Sequence, residues 1–245
     1  MRALLLLALV GLSARCDAQS REDPVRFLLW PVQDIRAIPG AVTPTRLLVL
    51  GGAGATLYGL SRYDRDLTRE AAVLSENAGL RVAQEFGNAR AVRPALAVVF
   101  LGGLMAGDDR MADAAFTALE SVILANLITN GLKGAFGRAR PWQGEGPDSF
   151  APFSGNTSFP SGHSTTAWAA LTPFAQYYGG VTEVVLYGLA ATTAFSRMAT
   201  EAHWLSDVLA GSAIGFTTAY ALTRRHRSGV RISVSPGSAT FQLRF

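Results

Sequence analysis

The stretch Ser196–Asp207, "SRMATEAHWLSD", decides how the rest of the chain is read. It sets one of only three histidines in the chain, His203, between Arg197 upstream and Asp207 downstream. If this is a helix entry, His203 and Asp207 share a face, because positions i and i+4 are helical neighbours. A carboxylate against one imidazole nitrogen fixes the tautomer and leaves the other nitrogen free to react. A surface ion pair beside a helix N-terminus has the same spacing, so the segment must be weighed with others.

Two more segments stand out. In "KGAFGRARP", Lys133–Pro141, the cations Lys133 and Arg140 lie two helical turns apart if a helix continues through them. In "PSGH", Pro160–His163, Ser161 suits a helix N-cap and Gly162 lets the backbone come close to a ligand. Free N–H groups at such a helix start form an anion site, with His163 beside it. Taken singly, these are solvated charges at a helix end and a capped turn. Taken together, two histidines and three cations collect at predicted helix ends and adjoining loops.

The chain has 245 residues, enough for one domain with a real core. It is 49% apolar and 16% charged, with 25 glycines, which suits closely packed helices. The net charge is +4 and the arginines are scattered, so no basic run suggests nucleic-acid binding. Residues 1–18 read as a signal peptide: Arg2, an apolar run to about Leu12, then small and polar residues. Cleavage after Ala18 would remove Cys16, the only cysteine, and leave no disulfide or thiolate.

Residues 19–44 read as an irregular, polar, proline-punctuated arm. Apolar helical candidates follow near 45–61, 94–107, 112–132, 163–179, 183–195 and 206–223. The Gly/Pro/Ser-rich stretch 137–160 reads as a long functional loop. Residues 224–245 read as a basic tail with a β-hairpin about Pro236–Gly237.

The three motifs carry a resemblance. Lys133, Arg140 and Pro141, then Pro160–His163, then Ser196, Arg197, His203 and Asp207 resemble the three-part signature of the type 2 phosphatidic acid phosphatase and vanadium haloperoxidase superfamily. The resemblance covers roughly residues 45–223. It implies an all-α, six-helix core bundle with the motifs converging at one end. It further implies a phosphatase working through a phosphohistidine. His203 would be the nucleophile, Asp207 its orienter and His163 the acid to the leaving oxygen. Lys133, Arg140 and Arg197, with Ser161 and the Gly162 amide, would cradle the phosphoryl oxygens.

No metal and no cofactor is needed on this reading, and the sequence offers no compact His/Asp/Glu cluster. Asp108 and Asp109 suit a helix cap better than a metal site. His226 has no assigned role, Trp142 and Trp204 either line the mouth or pack, and Glu120 in an apolar helix is unexplained. A vanadium-dependent haloperoxidase and a non-catalytic envelope protein are the alternatives. The substrate is a lipid phosphate or a small phosphorylated molecule. The uncharged runs 47–61, 94–107 and 184–196 fall short of a bilayer span, which favours a periplasmic or membrane-peripheral enzyme over an integral one.

Overall fold

A computed structural model describes residues 24–41, 43–228, 230–235 and 238–243. The predicted signal peptide and the Pro236–Gly237 turn lie outside the described residues. The helices run in the order α1 (Arg26–Ala41), α2 (Pro44–Leu60), α3 (Asp64–Ala72), α4 (Ala78–Ala83), α5 (Ala89–Ala106), α6 (Asp109–Phe136), α7 (Gly162–Tyr178), α8 (Gly180–Ala199) and α9 (Leu205–Ser228). Strands β1 (Val230–Ser235) and β2 (Ser238–Leu243) then pair antiparallel, Val230 opposite Leu243.

Side-chain oxygens start several of these helices. Asp108 accepts from the Met111 amide at 2.9 Å, as the capping reading of this residue requires, and Asn88 accepts from Arg90 at 3.2 Å. Helix α7 sits at the centre, packed against α6, α8 and α9. Its Ala167, Ala170, Leu171 and Phe174 join Leu96, Ala118, Val122 and Ala190 in the main core. Small side chains let these helices approach closely. A Cβ added at Gly211 or Gly215 of α9 would lie 2.3 Å from the Ser161 or Thr165 carbonyl oxygen. This contact locks the start of α9 against the start of α7, and both starts carry motif residues.

Four features differ from the sequence reading. First, the supposed irregular arm 19–44 contains helix α1. Phe27, Trp30 and Asp34 fall on one buried face, and Phe27 stacks edge-on against Phe100 with centroids 4.8 Å apart. Tertiary burial thus outweighs the helix cost of Pro31. Second, α9 runs to Ser228, so His226 is inside a helix rather than in a tail. Third, none of the described residues of α2 joins the main core, which is drawn from α5–α9. Its run "LVLGGAGATLYGL" has no apolar stripe to bury, and Leu48, Val49, Leu50 and Tyr58 are exposed.

Fourth, the helices are longer than their uncharged runs. Both α5 and α6 are long and apolar enough to cross a membrane, by length and composition. Only 22% of the α5 span is buried, so most of its apolar surface faces outward, unlike that of a soluble core helix.

Candidate active site

The motif residues come from four helix ends. Lys133 lies in the last turn of α6, Arg197 in the last turn of α8, His163 in the first turn of α7 and Asp207 in the first turn of α9. Arg140 lies beyond α6 in extended backbone, so it does not share a continuing helix with Lys133. Loop residue Thr157 joins these two cations instead. Its carbonyl accepts from Lys133 Nζ, and its hydroxyl accepts from Arg140 Nη2 at 3.1 Å.

Electrostatics show the same convergence. Burial lowers the His163 imidazole from 6.5 to about 4, and Arg197, His203, Arg140 and Lys133 lower it further. Burial also lowers His203 from 6.5 to about 4, against the opposing pull of Asp207. Both imidazoles are therefore neutral at pH 7, inside a group of three cations. Two nitrogens there are buried without a hydrogen-bond partner, Arg197 Nε and His203 Nδ1. Arg197 is aimed by Gln84, whose Oε1 accepts from Nη1 at 2.8 Å.

Ser161 caps α7: its hydroxyl accepts from the Ser164 amide at 3.4 Å and the Ser164 hydroxyl at 3.0 Å. Its own amide donates to the Asp207 carbonyl at 3.0 Å, tying the second motif to the third. Gly162 follows on the same helix start, against the Lys133 side chain. Gly87 covers His163 from the other side: a Cβ there would lie 2.7 Å from both the His163 Cβ and its carbonyl oxygen.

His203 precedes α9, and its Nδ1 lies 3.6 Å from Asp207 Oδ2. That is beyond a hydrogen bond, so in this geometry the carboxylate acts on the ring through its charge. Asp207 is instead held by other donors. Oδ2 accepts from the Ser158 hydroxyl at 2.5 Å and the Trp204 amide at 3.0 Å, and Oδ1 accepts from Arg138 Nη1 at 2.5 Å. Burial alone would raise this carboxyl, but His203, Arg138 and Ser158 outweigh it and hold it below the usual carboxylate range.

Arg138 was not singled out from the sequence, although it lies inside "GRARP". It is almost wholly buried and also donates to Asp64 Oδ2 at 2.7 Å, to Ser206 Oγ at 2.8 Å and to the Pro147 carbonyl. Asp64 in turn accepts from the Ser206 amide at 2.8 Å. Asp64 was not singled out from the sequence either. Its burial signal is absent locally, because its partners are far along the chain.

Trp204 packs: it is buried, and its indole N–H donates to the Ala139 carbonyl at 2.9 Å. Trp142 is exposed. A cavity of about 330 Å³ opens beside Pro141 and Trp204, with Arg65, Arg69 and Glu201 on its walls. The sequence reading found no compact metal cluster, but the fold makes one. Among the described residues, Asp34, Glu120 and His226 offer ligand atoms all within 4.8 Å of one another. They are not at this site.

Comparison with known proteins finds relatives for the part of the chain that carries these residues. Residues 114–230 match the model of the PAP2 superfamily. A lipid A 1-phosphatase of Rhizobium johnstonii is 43% identical over 100 residues, 39% of this chain and 41% of that protein. One of Porphyromonas gingivalis is 38% identical over 101 residues, 40% of this chain and 20% of that protein. The match thus spans about two fifths of the Rhizobium protein and a fifth of the other. In fold, the chain is similar to a transmembrane PAP2 type phosphatidylglycerolphosphate phosphatase from Bacillus subtilis. The TM-score is 0.56 at 19% identity, over 73% of this chain and 92% of that one.

Proposed function

We propose that the protein is a phosphatase that hydrolyses a lipid phosphate through a phosphohistidine on His203. One observation carries this reading: two neutral histidines and three cations share one end of the bundle, with a fixed carboxylate behind one ring. A phosphomonoester dianion needs dense positive charge around its oxygens, and arginine forks meet such oxygens in pairs. Lys133, Arg140 and Arg197 supply that charge, with the helix start at Ser161 and Gly162 completing the cradle.

Each step then balances on residues of this chain. Neutral His203 attacks phosphorus in line, and the P–O bond to the leaving oxygen breaks. Asp207 offsets the positive charge the ring acquires. His163 gives a proton to the leaving oxygen. In the empty site His163 is neutral, because three cations disfavour its charge; the incoming dianion reverses that field and lets it carry a proton. Water then attacks the phosphohistidine, giving up a proton to His163 and releasing phosphate with neutral His203.

A lipid substrate is supported by the outer surface. Exposed Val98, Leu101 and Met105 on α5, and Ile123, Leu127 and Ile128 on α6, present apolar area that water does not favour. The names of the matched relatives point the same way. We therefore place the enzyme at a membrane of the cell envelope. The test is phosphate release from a lipid phosphate in detergent micelles by purified protein. Turnover that His203→Ala abolishes supports the reading, and turnover that survives in His203→Ala contradicts it.

A further inference from the structure

The far end of the bundle holds a second constructed site. His226 lies near the end of α9, about 28 Å along the helix axis from Asp207 at 1.5 Å per residue. Its ring stacks on Trp30 of α1, centroids 3.9 Å apart. Its Nδ1 is 2.8 Å from Thr117 Oγ1. The Thr117 hydroxyl already donates to the Asp113 carbonyl at 2.7 Å, so His226 must donate from Nδ1.

That assignment leaves Nε2 of the neutral ring with a lone pair. Yet Nε2 faces Asp34 Oδ2 at 2.8 Å and Glu120 Oε2 at 3.7 Å. A lone pair and two carboxylate oxygens repel unless a positive species lies between them. A second proton on the ring would answer Asp34 but leave Glu120 Oε2, a buried atom, without a hydrogen-bond partner. A single cation in the centre would satisfy all three atoms.

We propose that Asp34, Glu120 and His226 bind a divalent transition-metal ion of the zinc class, which pins α1 to α6 and α9. The dimensions suit it. Metal–ligand bonds of about 2.0–2.1 Å at tetrahedral angles put ligand atoms about 3.4 Å apart. The observed separations of 2.8 and 3.7 Å from Nε2 bracket that spacing, and the two carboxylate oxygens lie within 4.8 Å of each other. The supporting contacts are those of an oriented metal ligand: Thr117 fixes the ring, and Arg225 Nε holds the other Asp34 oxygen at 2.9 Å. One imidazole with two carboxylates suits zinc or cobalt better than magnesium or calcium, which take oxygen ligands. The fourth position is left to water. The ion has no part in hydrolysis, which takes place at the other end of the bundle.

The test uses the full chain stripped by chelator, with zinc ion alone as the probe. Wild type should take up one zinc per chain and gain thermal stability, while magnesium does neither. Cobalt in its place should give the visible absorption of a four-coordinate ion. Glu120→Gln preserves shape, so it should fold and still bind zinc at least about ten-fold more weakly; His226→Ala should lose both uptake and stabilisation. Both variants should hydrolyse substrate at the wild-type rate below their melting temperatures, which separates this site from the proposed catalysis. Zinc uptake and melting shifts in both variants equal to those of wild type would overturn the proposal. So would a wild type that neither binds nor responds.

Discussion

Arg138 and Asp207 meet at 2.5 Å with both side chains wholly buried, closer than Asp207 comes to His203. Through Arg138 the carboxylate is also connected to Asp64, which lies before the segment that matches the PAP2 superfamily. The carboxylate behind the proposed nucleophile is thus positioned by a cation from the loop after α6 and an acid from the start of α3.

Removing Arg138 would strand two buried carboxylates. Breaking such a pair costs about 3–5 kcal/mol. Arg138→Ala is expected to be strongly destabilised in thermal melts. Arg138→Lys keeps the charge but not the fork, so it should fold with a lower melting point and lose at least about ten-fold in kcat. Wild-type melting and turnover in Arg138→Lys would show that the fork has no positioning role.

Asp207 and Arg197 should separate binding from turnover. Asp207→Asn retains an acceptor for Ser158 but no longer offsets the charge of a phosphohistidine. Vanadate affinity should stay near wild type while kcat falls by roughly 10²–10⁴. Arg197→Ala should weaken vanadate about ten-fold or more, since charge-assisted hydrogen bonds contribute about 1.5–3 kcal/mol. Titration calorimetry on both variants reads this directly. Equal loss of vanadate binding in folded Asp207→Asn would place Asp207 in the cradle instead.

His163 and its cover Gly87 form a second pair. His163→Ala should spare nitrophenyl phosphate, whose leaving group needs little protonation, more than an alkyl phosphate. Gly87→Ala should shift the same ring, because its Cβ would lie 2.7 Å from His163. It should show the same leaving-group bias at smaller amplitude. Equal losses on both substrates in His163→Ala would remove it from the acid role.

The pH dependence follows from burial. His203 must be neutral to attack, and it stays neutral in the fold down to about pH 4 rather than 6.5. With nitrophenyl phosphate the acid limb of kcat/KM should therefore lie near pH 4. Stability has a matching sign. The unfolded chain binds protons at His163 and His203 below pH 6.5, while the folded chain does not until about pH 4. Stability should thus fall as pH drops from 6.5 towards 4, read as a falling urea midpoint. A midpoint unchanged across that window would show that the rings are not buried neutral.

Chelator should leave kcat unchanged, since the cradle is built from three cations of the chain. A rate that falls with chelator and returns with zinc, measured below the melting temperature, would contradict the proposed mechanism.

Much of the candidate site was legible because its signals are local. Lys133, His163, Arg197 and His203 sit at fixed spacings, and Ser161 and Asp108 are caps whose partners lie within three residues. What escaped depends on distant partners. Asp64 meets Arg138 across 74 residues, and Asp34 meets His226 across 192. Helix α1 was hidden by Pro31 and Pro39, which lie inside its span and read as helix breakers. Helix α2 was legible near 45–61, but its exposure was not, because its apolar run has no stripe that marks a buried face.

The central claim is a covalent phosphate on His203. Rapid mixing with labelled substrate, an alkaline quench that preserves phosphohistidine, and peptide mapping test it most directly. The account predicts label on the peptide containing His203 in wild type, its loss in His203→Ala, and its accumulation with substrates whose leaving group departs fast. Label on another residue, or turnover with inversion at phosphorus, would contradict it.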